Sequence, residues 1–154
     1  EKKTPLKISL ELSKLKAKNV SEIKKNILVV GSDTTISFKK KLIGKAKNIK
    51  EAKEKIIMLS GKKHTVISSI SVYYNTKLVW SKTEKTFVKI RKMKNDEIDD
   101  YLKKAGKKIL GSVGCYLIEK EGPRIIESIK GDFFNVMGFP LFSFLVFLKN
   151  IYKK

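Results

Sequence analysis

The stretch "ILVVGSDTTISF", residues 27–38, decides how this chain is read. It begins as a buried strand, with Ile27, Leu28, Val29 and Val30 in a row. It then sets Gly31, Ser32, Asp33, Thr34 and Thr35 where a strand of ordinary length ends. Two readings of Asp33 stay open on the residues alone. An aspartate after a strand caps a turn through its own backbone. A carboxylate at the C-terminal end of a strand instead stands where α/β folds collect ligands, able to hold a magnesium ion or to orient a water as general base. On the second reading Lys16 and Lys45 are candidate phosphate contacts, each in competition with many solvated lysines.

Working outward, Ile8, Leu12 and Leu15 predict a helix over about residues 7–18 with those three side chains on its buried face. "KKNILVVGS" reads as a strand, and "DTTISFKKKLIG" as a turn with a short second strand. "NIKEAKEKIIMLSG" is a helix capped by Asn48, burying Ala52, Ile56 and Leu59 and stopped by Gly61. "HTVISSISVYY" alternates Val66, Ser68, Ile70 and Val72 on one side, and "NTK" turns it back into "LVWSKTEKTFVKI". "KNDEIDDYLKKAG" is a second capped helix, burying Ile98 and Leu102. "SVGCYLIE" and "RIIESI" read as short strands around Gly122-Pro123, and "FPLFSFLVFL" as a buried C-terminal helix. Hairpins among helices predict one α/β domain over residues 1–154, with a mixed sheet and flanking helices.

Composition narrows the partners. The chain has 154 residues and a net charge of +20, which suits nucleic acid, a membrane surface or a polyphosphate substrate. Only Arg91 and Arg124 are arginines, so the charge is a lysine coat and lacks the forked donors that read bases or clamp phosphates. Tyr73, Tyr74 and Trp80 have no interleaved arginine, which argues against a single-strand stacking platform. The most apolar run, ten residues from Phe139 to Leu148, contains Pro140. A membrane span needs about 20. No signal peptide is visible, and Cys115 is the lone cysteine, which fits a reducing cytoplasm without an intrachain disulfide.

Several chemistries drop out. "LIGKAK" and "LSGKKH" lack the upstream glycine and the following Ser or Thr of a P-loop. His64 is the only histidine, so multi-histidine and zinc-cluster sites are excluded. A Cys115/His64 nucleophile pair is set aside because Cys115 sits in an apolar run, where cysteine packs.

Taken together and in order, "VVGSDTTI", "LIGKAKN..EAKEKIIMLSGKKHTVISSISV", "NDEIDDYLKKAG" and "GSVGCYLIE..G....ESIKGDFFNVMGFPL" resemble the Maf family of nucleoside triphosphate pyrophosphatases, once described as septum-formation inhibitors. The match runs from about Leu12 to Leu148, and its tail is similar to the alphaproteobacterial version. The resemblance implies two lobes around a cleft. It implies hydrolysis of a nucleoside triphosphate between its α and β phosphates, with a divalent metal (Mg or Mn) as cofactor. Asp33 matches the family's catalytic acid and would also hold the metal. Lys16, in "LKA", and Lys45, in "GKA", match its phosphate-contacting lysines. Thr34 and Glu119 fall where the family tunes its choice of base, and Thr34 and Thr35 would form the floor and selector of the pocket.

A carboxylate at Glu119 only accepts hydrogen bonds, which leans towards a guanine-like base over a pyrimidine. The family's Ser-x-Ser-Pro-Arg-Arg phosphate loop and first strand have no counterpart here. The expectation is a Maf-like domain incomplete at its N-terminus, with reduced or absent activity on its own. A homodimer is implied by the family only. The competing expectation is a basic nucleic-acid-binding or regulatory domain without catalysis, which would show steep salt dependence in binding nucleic acid.

Overall fold

The computed structural model describes residues 3–153. One five-stranded sheet forms its frame, built from β1 (Leu28–Phe38), β2 (Lys41–Ile43), β3 (Lys63–Tyr74), β4 (Lys77–Ile90) and β5 (Ile126–Lys130) in the order β2-β1-β3-β4-β5. Five α-helices flank it: α1 (Pro5–Ile23), α2 (Ile49–Leu59), α3 (Asn95–Ala105), the single turn α4 (Phe133–Val136) and α5 (Leu141–Tyr152). The architecture is the expected α/β sheet with flanking helices. Every pairing among the described strands is antiparallel, so the parallel ladders of a mixed sheet are not present among them.

The opening stretch folds differently from its reading. Residues 28–38 form one continuous strand of 11 residues. Asp33 lies at its middle, paired in register with Ser69 of β3, and not at a strand mouth. The chain turns later, at Lys39 and Lys40, whose φ angles of 49° and 63° make the left-handed pair of a tight hairpin. Asn75 and Thr76 do the same between β3 and β4, with φ angles of 45° and 69°.

Helix α1 is longer than its apolar stripe, and it buries the opposite face from the one expected. Thr4 caps it by accepting from the Lys7 amide, and Pro5 occupies the first turn, where a missing N–H costs nothing. The buried residues are Ser9, Ser13, Ala17 and Ser21, while Leu12 and Leu15 are 39 % and 53 % exposed. The physical reason is closeness. A Cβ added at Gly31 would lie 2.5 Å from the Ser13 carbonyl oxygen and 2.7 Å from the Ala17 amide nitrogen. Only small side chains fit between backbones this near. Their hydroxyls stay satisfied: Ser9 Oγ lies 2.7 Å from Ser69 Oγ, Ser13 Oγ lies 2.8 Å from Ser71 Oγ, and Ser21 Oγ accepts from the Thr76 amide.

Two apolar clusters of unequal size sit towards opposite ends of the long strands. The larger joins Ile36, Val66 and Val88 of the sheet to Ala52, Ile56 and Leu59 of α2 and to Ile98, Tyr101 and Leu102 of α3. The smaller joins Ala17, Val29 and Tyr73. Asn48 caps α2 through the Glu51 amide, as its sequence indicates. Residues 112–121 form turns and not the expected strand, leaving β5 as the one strand of that region.

Helix α5 is not buried as expected. It touches β4 along one side, where Phe147 stacks on Trp80 at 4.7 Å and Ser143 donates to Glu84. Among the described residues no further layer covers its other side, so Phe142 and Val146 are 60 % and 61 % exposed. Among the described residues no helix is long and apolar enough to cross a membrane.

The contact between α1 and β1 makes a direct prediction. Gly31→Ala should lift the helix off the strand and lower the unfolding free energy by about 1–3 kcal/mol, the range for overpacking a tight interior. Urea unfolding checks it; an unchanged midpoint would mean that the two backbones are not in contact.

Candidate active site

Strand β2 pairs with β1 only over Ile36–Phe38, so the edge of β1 is open from Asp33 to Thr35. A cleft of about 330 Å³ uses that opening. Its lining brings together Lys16 from α1, Asp33 and Thr34 from β1, Lys45 from the loop after β2, Glu119 from the turn after residue 117, and Gly138 after α4. All five candidate residues named from the sequence therefore border one cavity, although Asp33 reaches it from mid-strand and Glu119 from a turn. Thr35 does not join them. Its hydroxyl donates to the Pro5 carbonyl at 2.9 Å, under the start of α1, so it holds the helix and cannot line the pocket.

The charges are arranged at short range. Lys16 Nζ is 2.6 Å from Asp33 Oδ1 and 3.1 Å from the Ser32 carbonyl. The Asp33 side chain is 13 % exposed against 55 % for Lys16, so the carboxylate is held and the ammonium reaches into solvent. Lys45 makes no ion pair among the described residues. Its loop is fixed from behind, because Lys55 Nζ donates to the carbonyls of Gly44 and Lys45. Both arginines are committed elsewhere, Arg91 to Glu97 at 2.7 Å and Arg124 to Asp100 at 2.8 Å.

Thr34 builds the floor together with Ser32, Ser68 and Asn135, which were not named as site residues from the sequence. Ser32 Oγ donates to the Gly138 carbonyl at 2.7 Å. Thr34 Oγ1 lies 2.8 Å from Ser68 Oγ, and Ser68 donates to the Asn135 carbonyl at 2.8 Å. Asn135 is fully buried and reaches Thr86 Oγ1 at 3.0 Å. Gly138 has a φ of +105° that glycine tolerates, and a Cβ there would come 3.3 Å from Thr34 Oγ1. The stretch "NVMG", residues 135–138, is thus stitched to the sheet directly beside the cleft.

No three His, Cys, Asp or Glu side chains gather as a metal cluster among the described residues. The donor set still fits one hard cation of the Mg²⁺ or Mn²⁺ type. Such ions take one or two carboxylates and complete their shell with phosphate oxygens and water. Asp33 and Glu119 give the cleft two carboxylates, and the nitrogen and sulfur groups that share its lining, the Lys16 and Lys45 ammoniums and the soft Met137 thioether, do not compete for a hard cation. Cys115 is no nucleophile: it is buried in a turn, and burial raises its thiol pKa above the ordinary value. His64 is engaged at Nε2 by the Tyr116 hydroxyl at 2.7 Å.

The Maf-like protein family model matches residues 1–151. The chain belongs to the Maf family. Among its relatives is a protein of Bartonella henselae named 7-methyl-GTP pyrophosphatase, 36 % identical over 96 % of this chain and 75 % of its own length. A Caulobacter vibrioides protein named nucleoside triphosphate pyrophosphatase is 35 % identical over 95 % of this chain and 73 % of its own length. A Bacillus cereus protein named dTTP/UTP pyrophosphatase is 34 % identical over 90 % of this chain and 71 % of its own length. This Maf chain therefore spans about three quarters of the length of the relatives it matches.

Tyr116 borders the cleft, and its partner His64 ties the wall to acidity. Burial pushes the His64 pKa down from 6.5 to about 4. Between those values the unfolded chain carries a proton that the folded chain does not, so stability is full above pH 6.5 and is lost as pH falls towards 4. Going from pH 7.5 to pH 5 should cost about 2 kcal/mol through this group alone. Urea midpoints at the two pH values should differ accordingly in the wild type, and His64→Gln should flatten the difference; an equal slope in the variant would contradict the assignment.

Proposed function

We propose that this Maf-family chain hydrolyses a nucleoside triphosphate to the monophosphate and pyrophosphate. The observation that carries the reading is the cleft at the open edge of β1, which gathers Asp33, Lys16 and Lys45 with a turn bearing Glu119. The relatives named as pyrophosphatases support the same reaction class. Phosphoryl transfer asks little covalent chemistry of the protein; it needs charge neutralisation and an aligned nucleophile.

Lys45 and Lys16 supply point charges for phosphate oxygens, and the field of a +20 chain steers a polyanion towards them. An incoming phosphate competes for Lys16 and frees one Asp33 oxygen. Asp33 then takes the proton of a water whose oxygen bonds to the α-phosphorus. The bond from that phosphorus to the α–β bridging oxygen breaks, and the electron pair leaves with pyrophosphate. A divalent cation held by Asp33 would, when bound, neutralise charge on the phosphate oxygens.

For the base, we favour a guanine-like ring, including 7-methylguanine, over a pyrimidine. Glu119 accepts and never donates when ionised, and guanine offers neighbouring imino and amino donors. A charge-assisted bond of this kind is worth about 1.5–3 kcal/mol.

Pyrophosphate release from 7-methyl-GTP, GTP, dTTP and UTP with Mg²⁺ or Mn²⁺ tests the reading. It should be run on this chain and on a form extended at the N-terminus by the strand and phosphate loop that the family resemblance implies. Asp33→Asn is expected to lower kcat by about 10²–10⁴-fold, the worth of a general base. Lys45→Ala should act mainly on KM. A silent Asp33→Asn would remove Asp33 from the chemistry, and pyrimidine turnover equal to that of the purines would reverse the base preference.

A further inference from the structure

We propose that Ser68, which does not line the cleft, sets the hydrogen-bonding polarity of Thr34 and thereby helps select the base; the proposal rests on the pyrophosphatase reading above. Thr34 and Ser68 sit opposite each other on β1 and β3, and each hydroxyl carries one proton. Ser68 is fully buried, so water is not its partner. With its proton on the Asn135 carbonyl, Ser68 can only accept from Thr34, and both bonds are 2.8 Å long.

In the reverse arrangement Ser68 would donate to Thr34, leaving the Ser68 hydroxyl oxygen and the Asn135 carbonyl oxygen 2.8 Å apart with no proton between them, and the Thr34 proton would turn to the cleft or to the Gly138 carbonyl at 3.5 Å. That contact is at the limit of a hydrogen bond, and the Gly138 carbonyl already accepts from Ser32 at 2.7 Å. The chain therefore runs one way, from Thr34 to Ser68 to the Asn135 carbonyl. Thr34, which does line the cleft, is left with lone pairs to offer and no proton.

With Glu119 also acceptor-only, the base-recognition side of the cleft offers two acceptors and no hydroxyl donor from this pair. A ring edge with adjacent donors fits it. Uracil and thymine, with one imino donor flanked by carbonyl acceptors, place an acceptor against an acceptor. Ser68 is a positioning residue in this scheme, acting through Thr34. Asn135 anchors the end of the chain, since its carbonyl takes the Ser68 proton while its side chain is held by Thr86.

The test compares kcat/KM for GTP and UTP in whichever form of the chain, as given or extended, turns nucleotide over. Ser68→Ala frees the Thr34 proton and should lower the GTP:UTP ratio about tenfold, chiefly through KM, a change of about 1.4 kcal/mol. Ser68→Thr keeps a hydroxyl and should keep the ratio. In a Thr34→Val background, Ser68→Ala should have no further effect on the ratio, which a merely structural role for Ser68 would not produce. An unchanged ratio in a folded Ser68→Ala protein, or an effect that persists without the Thr34 hydroxyl, overturns the relay while leaving the pyrophosphatase reading intact. Should Ser68→Ala fail to fold, Thr34→Val alone decides: the ratio must fall, and an unchanged one overturns the proposal. Absence of turnover in both wild-type forms overturns the relay and the reading beneath it.

Discussion

A side chain at residue 31 would meet the Ser13 carbonyl at 2.5 Å, so α1 and β1 touch backbone to backbone. That contact sets the Lys16 and Asp33 side of the site. It requires the small stripe Ser9, Ser13, Ala17 and Ser21 on the buried face of the helix. It also places Lys16 beside Asp33, where the two form a 2.6 Å ion pair. The serines reconcile closeness with chemistry. They are small enough to fit, and their buried hydroxyls find partners on β1, β3 and the hairpin beyond it.

The second constraint is the shortness of β2. Had it paired along the whole of β1, the edge at Asp33–Thr35 would be closed by a neighbouring strand. It ends after three residues, and the unpaired edge becomes one wall of the cleft. The candidate site is thus placed on a strand, and loops bring the remaining groups of the cleft to it. Lys45 arrives on a loop tied down by Lys55, Glu119 on a turn closed by Leu117 and Gly122, and Gly138 on a segment bonded to Ser32. A site held from several directions in this way keeps its charges in position before substrate arrives.

How far the sequence told this in advance depended on the kind of signal each residue carries. Helices α2 and α3 were legible because their caps and apolar spacing agree, and the β3–β4 hairpin because Asn75 marks its turn. The Asp33, Lys16, Lys45, Thr34 and Glu119 set was legible through resemblance, and the structure puts all five around one cavity. What was missed shares a cause. Gly31, Ser32 and Asp33 look like a turn, yet Gly31 is there for closeness, and the β-branched Thr34, Thr35 and Ile36 carry the strand on. The true turn is made of two lysines, which no turn preference favours. Apolar spacing picked the wrong face of α1 because its buried face is serine. Ser68 and Asn135 carry no such local signal, since their bonds to Thr34 and to each other join segments distant in sequence.

In the proposed reaction a water aligned at Asp33 attacks the innermost phosphorus of a bound triphosphate. Hydrolysis in ¹⁸O-labelled water, followed by mass analysis of both products, tests it most directly. Attack at that phosphorus puts the label in the nucleoside monophosphate and none in pyrophosphate. Label in the pyrophosphate would place the attack on the other side of the bridging oxygen and contradict it.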